Sequence, residues 1–211
     1  MVKSAVAGEA SPTSVADQAM ERYADGDETA FATLYDQVAP RLYRFAARQL
    51  QSRAAAEDVV QQALLQIHVA RAQFTRGAAV LPWAYAIVRR LVIDLTRRRG
   101  REDLRADLAQ EAEGPSGAAA PDEAVYRMRS EAALRRDLLG LPPALREAFE
   151  LLKLEGLSVA ESAEVLGITR GMVKIRAHRA TVALRRAHLA RERAPSELAS
   201  APQPVGEGEA T

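Results

Sequence analysis

Apolar residues recur along this chain at helical rather than strand spacing, in segments separated by short polar breaks. Phe31, Leu34, Tyr35 and Val38 fall at i, i+3, i+4 and i+7, which predicts a helix beginning near Asp27 or Glu28 with one face toward a core. Pro40 is expected to end it, because proline brings no N–H to the helical ladder. A second helix over Arg41–Leu50 then turns Leu42, Phe45 and Ala46 inward. After a turn at Gln51–Arg53, a third helix from Ala54 to about Ala70 is expected to bury Val60, Leu64, Ile67 and Val69. Its other face carries Glu57, Asp58, Gln61, Gln62 and Gln66. Ahead of these helices, residues 1–15 alternate small and polar side chains without a period and read as a loose arm.

Phe74–Gly77 is a loop by composition, and Pro82 stands where a helix can begin. The segment Trp83–Arg99 is strongly helical, with Tyr85, Ile87, Val88, Leu91, Val92 and Leu95 as its apolar part. It also carries Arg89, Arg90, Arg97, Arg98 and Arg99. Arginines at a helix C-terminus can simply be solvated and complement the helix dipole. Here they accompany Trp83 and Tyr85, read as exposed rings, and rings with cations suit single-stranded nucleic acid: the rings stack bases and the cations hold phosphates. Residues 101–122 then turn polar and end in a Gly/Pro/Ser/Ala run, the composition of a linker.

A second helical unit is expected over 123–193. It opens with a helix from Ala124 to Leu139, followed by one that starts at Leu141-Pro142-Pro143, presents Leu145, Phe149 and Leu152, and stops at Glu155-Gly156. Ser158 to Arg179 then reads as two short helices around a tight turn. Ser158 and Glu161 have capping-box spacing, Val159, Ala163 and Leu166 form a stripe, and Gly167 can adopt the left-handed conformation that ends a helix. Ile168 tucks toward the core and Thr169 caps the next helix. That helix holds Arg170, Lys174, Arg176, His178 and Arg179, with Val173 and Ile175 left for packing. Such a hairpin is also a common structural unit, but a glycine-containing turn before a cationic helix is the pattern of a helix-turn-helix that binds DNA. Residues 194–211, rich in Pro, Gly and Glu, are expected to be disordered.

The fold class implied is all-α: two small helical domains, 16–100 and 123–193, joined by a flexible linker, with the helix-turn-helix in the second. The net charge of +1 over 211 residues averages acidic and basic segments. Ser158–Arg193 is strongly cationic, which points to a phosphate-binding face. Cysteine is absent, so disulfides and cysteine-ligated zinc are excluded. His68, His178 and His188 lack metal-like spacing, and no nucleophile elbow or phosphate loop is found. No catalytic residue, metal or cofactor is therefore expected. Without a signal-peptide core or a run of transmembrane length, no membrane insertion and a cytoplasmic location are expected.

Five segments in this order resemble bacterial extracytoplasmic-function (ECF) sigma factors of the sigma-70 family: AFATLYDQVAPRLYRFAARQL, AEDVVQQALLQIHVA, WAYAIVRRLVIDLTRRR, LPPALREAFELLKLEGLSVAESAEVLGI and VKIRAHRA. The resemblance covers about Asp27–Arg99 and Arg136–Arg186. It implies an RNA polymerase subunit, not an enzyme, that recognises −35 and −10 promoter elements and promotes melting. Its implied partners are core RNA polymerase, through the β′ clamp helices and the β subunit, promoter DNA, and an anti-sigma factor. Glu57, Asp58, Gln61 and Gln62 would face the clamp helices. Phe74, Arg76, Trp83, Tyr85, Arg89, Arg90, Arg97 and Arg98 would hold −10 DNA, and an extruded base there must regain the stacking it loses. Thr169, Arg170, Met172, Lys174, Arg176, His178 and Arg179 would meet the −35 duplex.

Two departures bear on specificity. Where the family commonly has Asn after Ile-Ala-Arg, this chain has Arg90 after Ile87-Val88-Arg89. In the recognition helix, Met172 and Ile175 stand where small hydroxyl residues are usual, which shifts reading toward shape and phosphate. On the residues alone two other readings stay open: a helix-turn-helix regulator that is not a polymerase subunit, and an interaction protein that sequesters a partner through its amphipathic helices.

Overall fold

The first helix begins earlier than the apolar pattern predicts. The Ser14 hydroxyl accepts the Asp17 N–H at 3.1 Å and the Asp17 carboxylate accepts the Ser14 N–H at 2.9 Å, a reciprocal cap that starts α1, Val15–Ala24. Half of its buried stripe is small, Ala16 and Ala19 beside Met20 and Tyr23. The computed structural model describes residues 14–50, 52–106 and 133–199, and among these every regular element is helical. The start of the second unit and most of the expected linker lie outside the described residues.

Helix α2, Ala30–Leu50, continues through Pro40 without a break. The predicted break does not occur because Leu34, Val38, Leu42 and Phe45, all at most 1% exposed, lie on one face on both sides of the proline. Burial of several large apolar side chains, at about 1.5–3 kcal/mol each, outweighs the roughly 3 kcal/mol that an internal proline costs. Helix α3, Arg53–Ala70, is capped by Ser52 and buries Val60, Leu64 and Ile67, whereas Val69, expected inside, is 72% exposed. A 3₁₀ turn, Arg71–Gln73, leads through the loop to α4, Val80–Ala106. Pro82 is the third residue of α4, still within the turn where its missing N–H leaves no intrahelical bond unmade.

In the second half, residues 133–139 are helical (α5). Pro142 precedes α6, Pro143–Phe149, which widens into a π-helical turn, Glu150–Leu154. Next come α7, Val159–Leu166, and α8, Arg170–Ala199. The helical backbone of α8 extends six residues into the stretch expected to be disordered; residues 200–211 lie outside the described residues.

The halves are not independent. One apolar core runs from α1–α4 into Ala148, Leu151, Leu157, Ala163, Val165, Leu166 and Val173, and α7 rests on α4. A smaller cluster, Leu138, Leu141, Ala180 and Leu184, ties α5 and α6 to α8. Among the described residues, no helix is long and apolar enough to cross a membrane.

Candidate nucleic-acid interface

The helix-turn-helix forms as its local signals dictate. Ser158 and Glu161 complete the capping box of α7, and Gly167 closes that helix at φ 65°, in the left-handed region. Ile168 is half-buried against the core. The Thr169 hydroxyl accepts the Met172 N–H at 3.2 Å and so caps α8. Val173, Ala177, Ala180 and Leu184 point inward. Arg170, Lys174, His178 and Arg179 are exposed and Arg176 is half-exposed. The packing role expected for Ile175 is corrected, since the side chain is 48% exposed. It sits half a turn from the inward stripe and cannot reach it.

The −10 candidates are placed by contacts from α1. Asp17 accepts the Val80 N–H at 2.7 Å and Glu21 accepts the Gly77 N–H at 2.7 Å, so one helix holds both the loop and the N-terminus of α4. Arg76 is exposed and pairs with Asp25. Phe74 and Trp83 are half-buried with ring centroids 5.6 Å apart. Arg90, Arg97 and Arg98 are exposed, with Asp94 Oδ2 4.0 Å from Arg90 Nε. Tyr85 is not the exposed ring the pattern suggested. It is fully buried, packs edge-on against Phe45 at 5.4 Å, and donates its hydroxyl to Glu155. Burial, and then the hydrogen bond and charge of Glu155, hold its hydroxyl well above the ordinary phenol range. Arg89 is half-buried and pairs with Glu147 at 3.0 Å.

On α3, Glu57, Asp58, Gln61 and Gln62 share an exposed face, with Arg53 paired to Glu57 at 2.9 Å. Leu65 and Val69 extend this face as exposed apolar residues. A shallow groove of about 440 Å³ lies along its edge, lined by Tyr23, Glu28, Phe31, Leu64, Leu65 and His68.

Sequence reasoning missed the polar junction between the halves. From α2, Arg48 binds the Glu155 carboxylate, and its Nε stands 3.4 Å from Glu150 Oε1 as an ion pair without hydrogen-bond geometry. Gln49 donates to Glu150 at 2.6 Å and accepts from Arg146 at 3.1 Å. Arg41 donates to the Glu155 carbonyl at 2.7 Å. Burial pushes the Glu150 carboxyl up to about 7, although Arg48, Arg146 and Gln49 oppose the rise. The available signal was the placing of Arg146 and Glu150 four residues apart among apolar positions. Among the described residues, no group of His, Cys, Asp and Glu could hold a metal ion.

A family model for sigma-70 region 2 matches residues 34–102, and one for sigma-70 region 4 matches residues 131–184. The RNA polymerase sigma factor CarQ of Myxococcus xanthus is 35% identical over 170 residues, spanning 79% of this chain and 93% of its own. The ECF RNA polymerase sigma factor SigW of Bacillus subtilis is 30% identical over 171 residues, 76% of this chain and 90% of its own. Among solved structures, the sigma factor RpoE of Bartonella quintana, in complex with the anti-sigma factor NepR, superposes with a TM-score of 0.61 at 26% identity, covering 74% of this chain and 95% of that one.

Proposed function

The chain belongs to the extracytoplasmic-function group of sigma-70 RNA polymerase sigma factors, and from that premise we propose how its surfaces divide the work of promoter recognition. A sigma factor directs transcription initiation by binding, not by covalent chemistry, so each surface is read for the partner its charge and shape fit.

The α3 face meets the β′ clamp helices of core polymerase through Glu57, Asp58, Gln61 and Gln62, with the β subunit supporting the second domain. The loop at Phe74 and Arg76, with Trp83, Arg90, Arg97 and Arg98 on α4, holds the melted −10 strand; binding energy replaces the stacking lost there. Arg89 joins this set when its pairing with Glu147 opens. Tyr85 is assigned to the junction between the halves instead of to DNA. The −35 duplex is met by the N-terminal turns of α8, with Thr169, Arg170, Met172, Lys174, Arg176, His178 and Arg179 nearest to it. Work in the cytoplasm, and restraint by an anti-sigma factor as in the RpoE–NepR complex of Bartonella quintana, complete the reading.

The observation that carries it is the helix-turn-helix itself. Its second helix leaves Arg170, Lys174, Arg176 and Arg179 without an ion-pair partner among the described residues, ready for phosphates. Arg176→Ala or Arg179→Ala should weaken binding of the holoenzyme to promoter duplex and make the salt dependence shallower by about one counterion each. Unchanged salt slopes would sink the phosphate assignment. On α3, Asp58→Lys should abolish capture of core polymerase without shifting the melting temperature. Normal capture by that variant would move the clamp contact elsewhere.

A further inference from the structure

Resting on the reading of α8 as the −35-binding helix, we infer that Met172 and Ile175 read the 5-methyl groups of thymine in the major groove, and that Gly171 lets the helix approach the base edges closely. The inward face of α8 is already complete: Val173, Ala177, Ala180 and Leu184 recur at i, i+4, i+7 and i+11 and are all at most 9% exposed. Ile175 projects from the opposite side, 48% exposed, with Met172 beside it at 43%. Neither adds to the core formed by the described residues.

Gly171 occupies the same outward line one turn before Ile175. Glycine weakens a helix relative to alanine, so its presence in the first turn invites a reason. Nothing among the described residues supplies one. It is not among the glycines with positive φ, and a Cβ there would meet nothing closer than Thr169 Oγ1 at 4.0 Å. The space it leaves opens outward, toward whatever α8 binds.

Charge identifies that occupant as duplex DNA. At about 100° per residue, Arg170, Lys174 and His178 fall along one side of the Gly171–Ile175 line, and Arg176 and Arg179 along the other. No Asp or Glu occurs from Val165 to Arg191. Gly171 and Ile175 thus lie between Arg170 and Lys174 on one flank and Arg176 and Arg179 on the other, with Met172 one turn before Arg176, an arrangement that matches a groove with bases on its floor and phosphates on both walls, wide enough to admit a helix. Thymine is the base whose major-groove edge offers a methyl group, and apolar side chains are its chemical partners. Met172 and Ile175 thus supply base discrimination that hydroxyl donors would otherwise provide, where the sequence alone pointed to shape and phosphate.

The test uses holoenzyme assembled from core RNA polymerase and the full chain. Promoter duplexes are selected from a pool randomised over the −35 element, then remade with deoxyuridine in place of each thymine, a change that removes the methyl and keeps every Watson–Crick group. At one or more thymines the substitution should weaken binding roughly fourfold, the worth of one buried methyl, and Ile175→Ala or Met172→Ala should erase that difference. A selected −35 element without thymine, equal binding of both duplexes, or the same deoxyuridine sensitivity in both variants overturns the inference. If the variants bind both duplexes normally but lose a protein contact, Met172 and Ile175 serve a protein partner and the inference is likewise overturned. Arg176→Ala and Arg179→Ala are measured in parallel. Should they weaken binding while methyl removal does not, only the methyl reading fails; if they also leave binding unchanged, the reading of α8 fails with it.

Discussion

Replacing Arg48 with Met keeps an unbranched stem and removes the one cation placed between Glu150 and Glu155. Both carboxylates are almost wholly buried, with side chains 0% and 2% exposed. Gln49 would still donate to Glu150 and Tyr85 to Glu155, but two like charges would remain with no guanidinium between them. Removing one partner of a buried ion pair costs about 3–5 kcal/mol, against a total stability on the order of 5–15 kcal/mol for a domain. The loss should depend on pH. Arg48 is the strongest influence holding the Glu150 carboxyl down against burial, so without it that group takes up a proton more readily and the repulsion is relieved in acid. Arg48→Met is therefore expected to cost more at pH 8 than at pH 6. Trp83, the chain's single tryptophan, reports urea unfolding by fluorescence at both pH values. A loss below about 1 kcal/mol at each pH, the size expected of a solvent-exposed pair, would refute the argument that this junction is buried and coupled.

Three further outcomes follow from the same geometry. In the wild-type protein the Glu150 carboxyl is raised from 4.5 to about 7, so the folded state holds a proton that the unfolded chain has released. Its contribution to stability is therefore lost as pH rises through that window, by at most about 3 kcal/mol, and Glu150→Gln should flatten this part of the urea-stability profile. Gly167→Ala forces a Cβ into the left-handed region at φ 65° and should cost about 1–2 kcal/mol, measured by thermal unfolding. Ser158→Ala removes half of the α7 capping box and should cost about 1 kcal/mol, with holoenzyme binding to DNA weakened only as far as α7 loosens.

What could be read from the sequence was local. The helix-turn-helix was legible because Ser158, Glu161, Gly167 and Thr169 act within a few residues of themselves, and each formed the cap or turn its chemistry favours. The exposed α3 face was legible because Glu57, Asp58, Gln61 and Gln62 repeat at helical spacing against Val60, Leu64 and Ile67. Helix α1 was missed because its inner stripe leans on Ala16 and Ala19, which carry little hydrophobic signal, although the Ser14–Asp17 capping box was there to be seen. Pro40 misled because the burial that keeps α2 continuous is tertiary. Tyr85 misled for a similar reason: the acceptor of its hydroxyl, Glu155, lies 70 positions along the chain. Nothing near Tyr85 distinguishes a ring meant for bases from one meant for a buried carboxylate. The junction as a whole escaped notice because Arg48, Arg146, Glu150 and Glu155 look like ordinary surface charges until the fold brings them together.

The junction also separates the three surfaces by availability. The α3 face and the outward face of α8 are open with the halves packed together, whereas Arg89 is engaged with Glu147 across that packing. For Arg89 to reach any other anion, that ion pair has to open first.

Run-off transcription with core RNA polymerase and this chain as the sole initiation factor tests the division of labour most directly. Discrete promoter-specific transcripts are expected with the wild-type chain. They should disappear with Asp58→Lys and fall with Arg176→Ala in a way that low salt partly restores. Absence of specific transcripts with the wild-type chain, or full activity of Asp58→Lys, would contradict the assignment of these surfaces to polymerase and promoter.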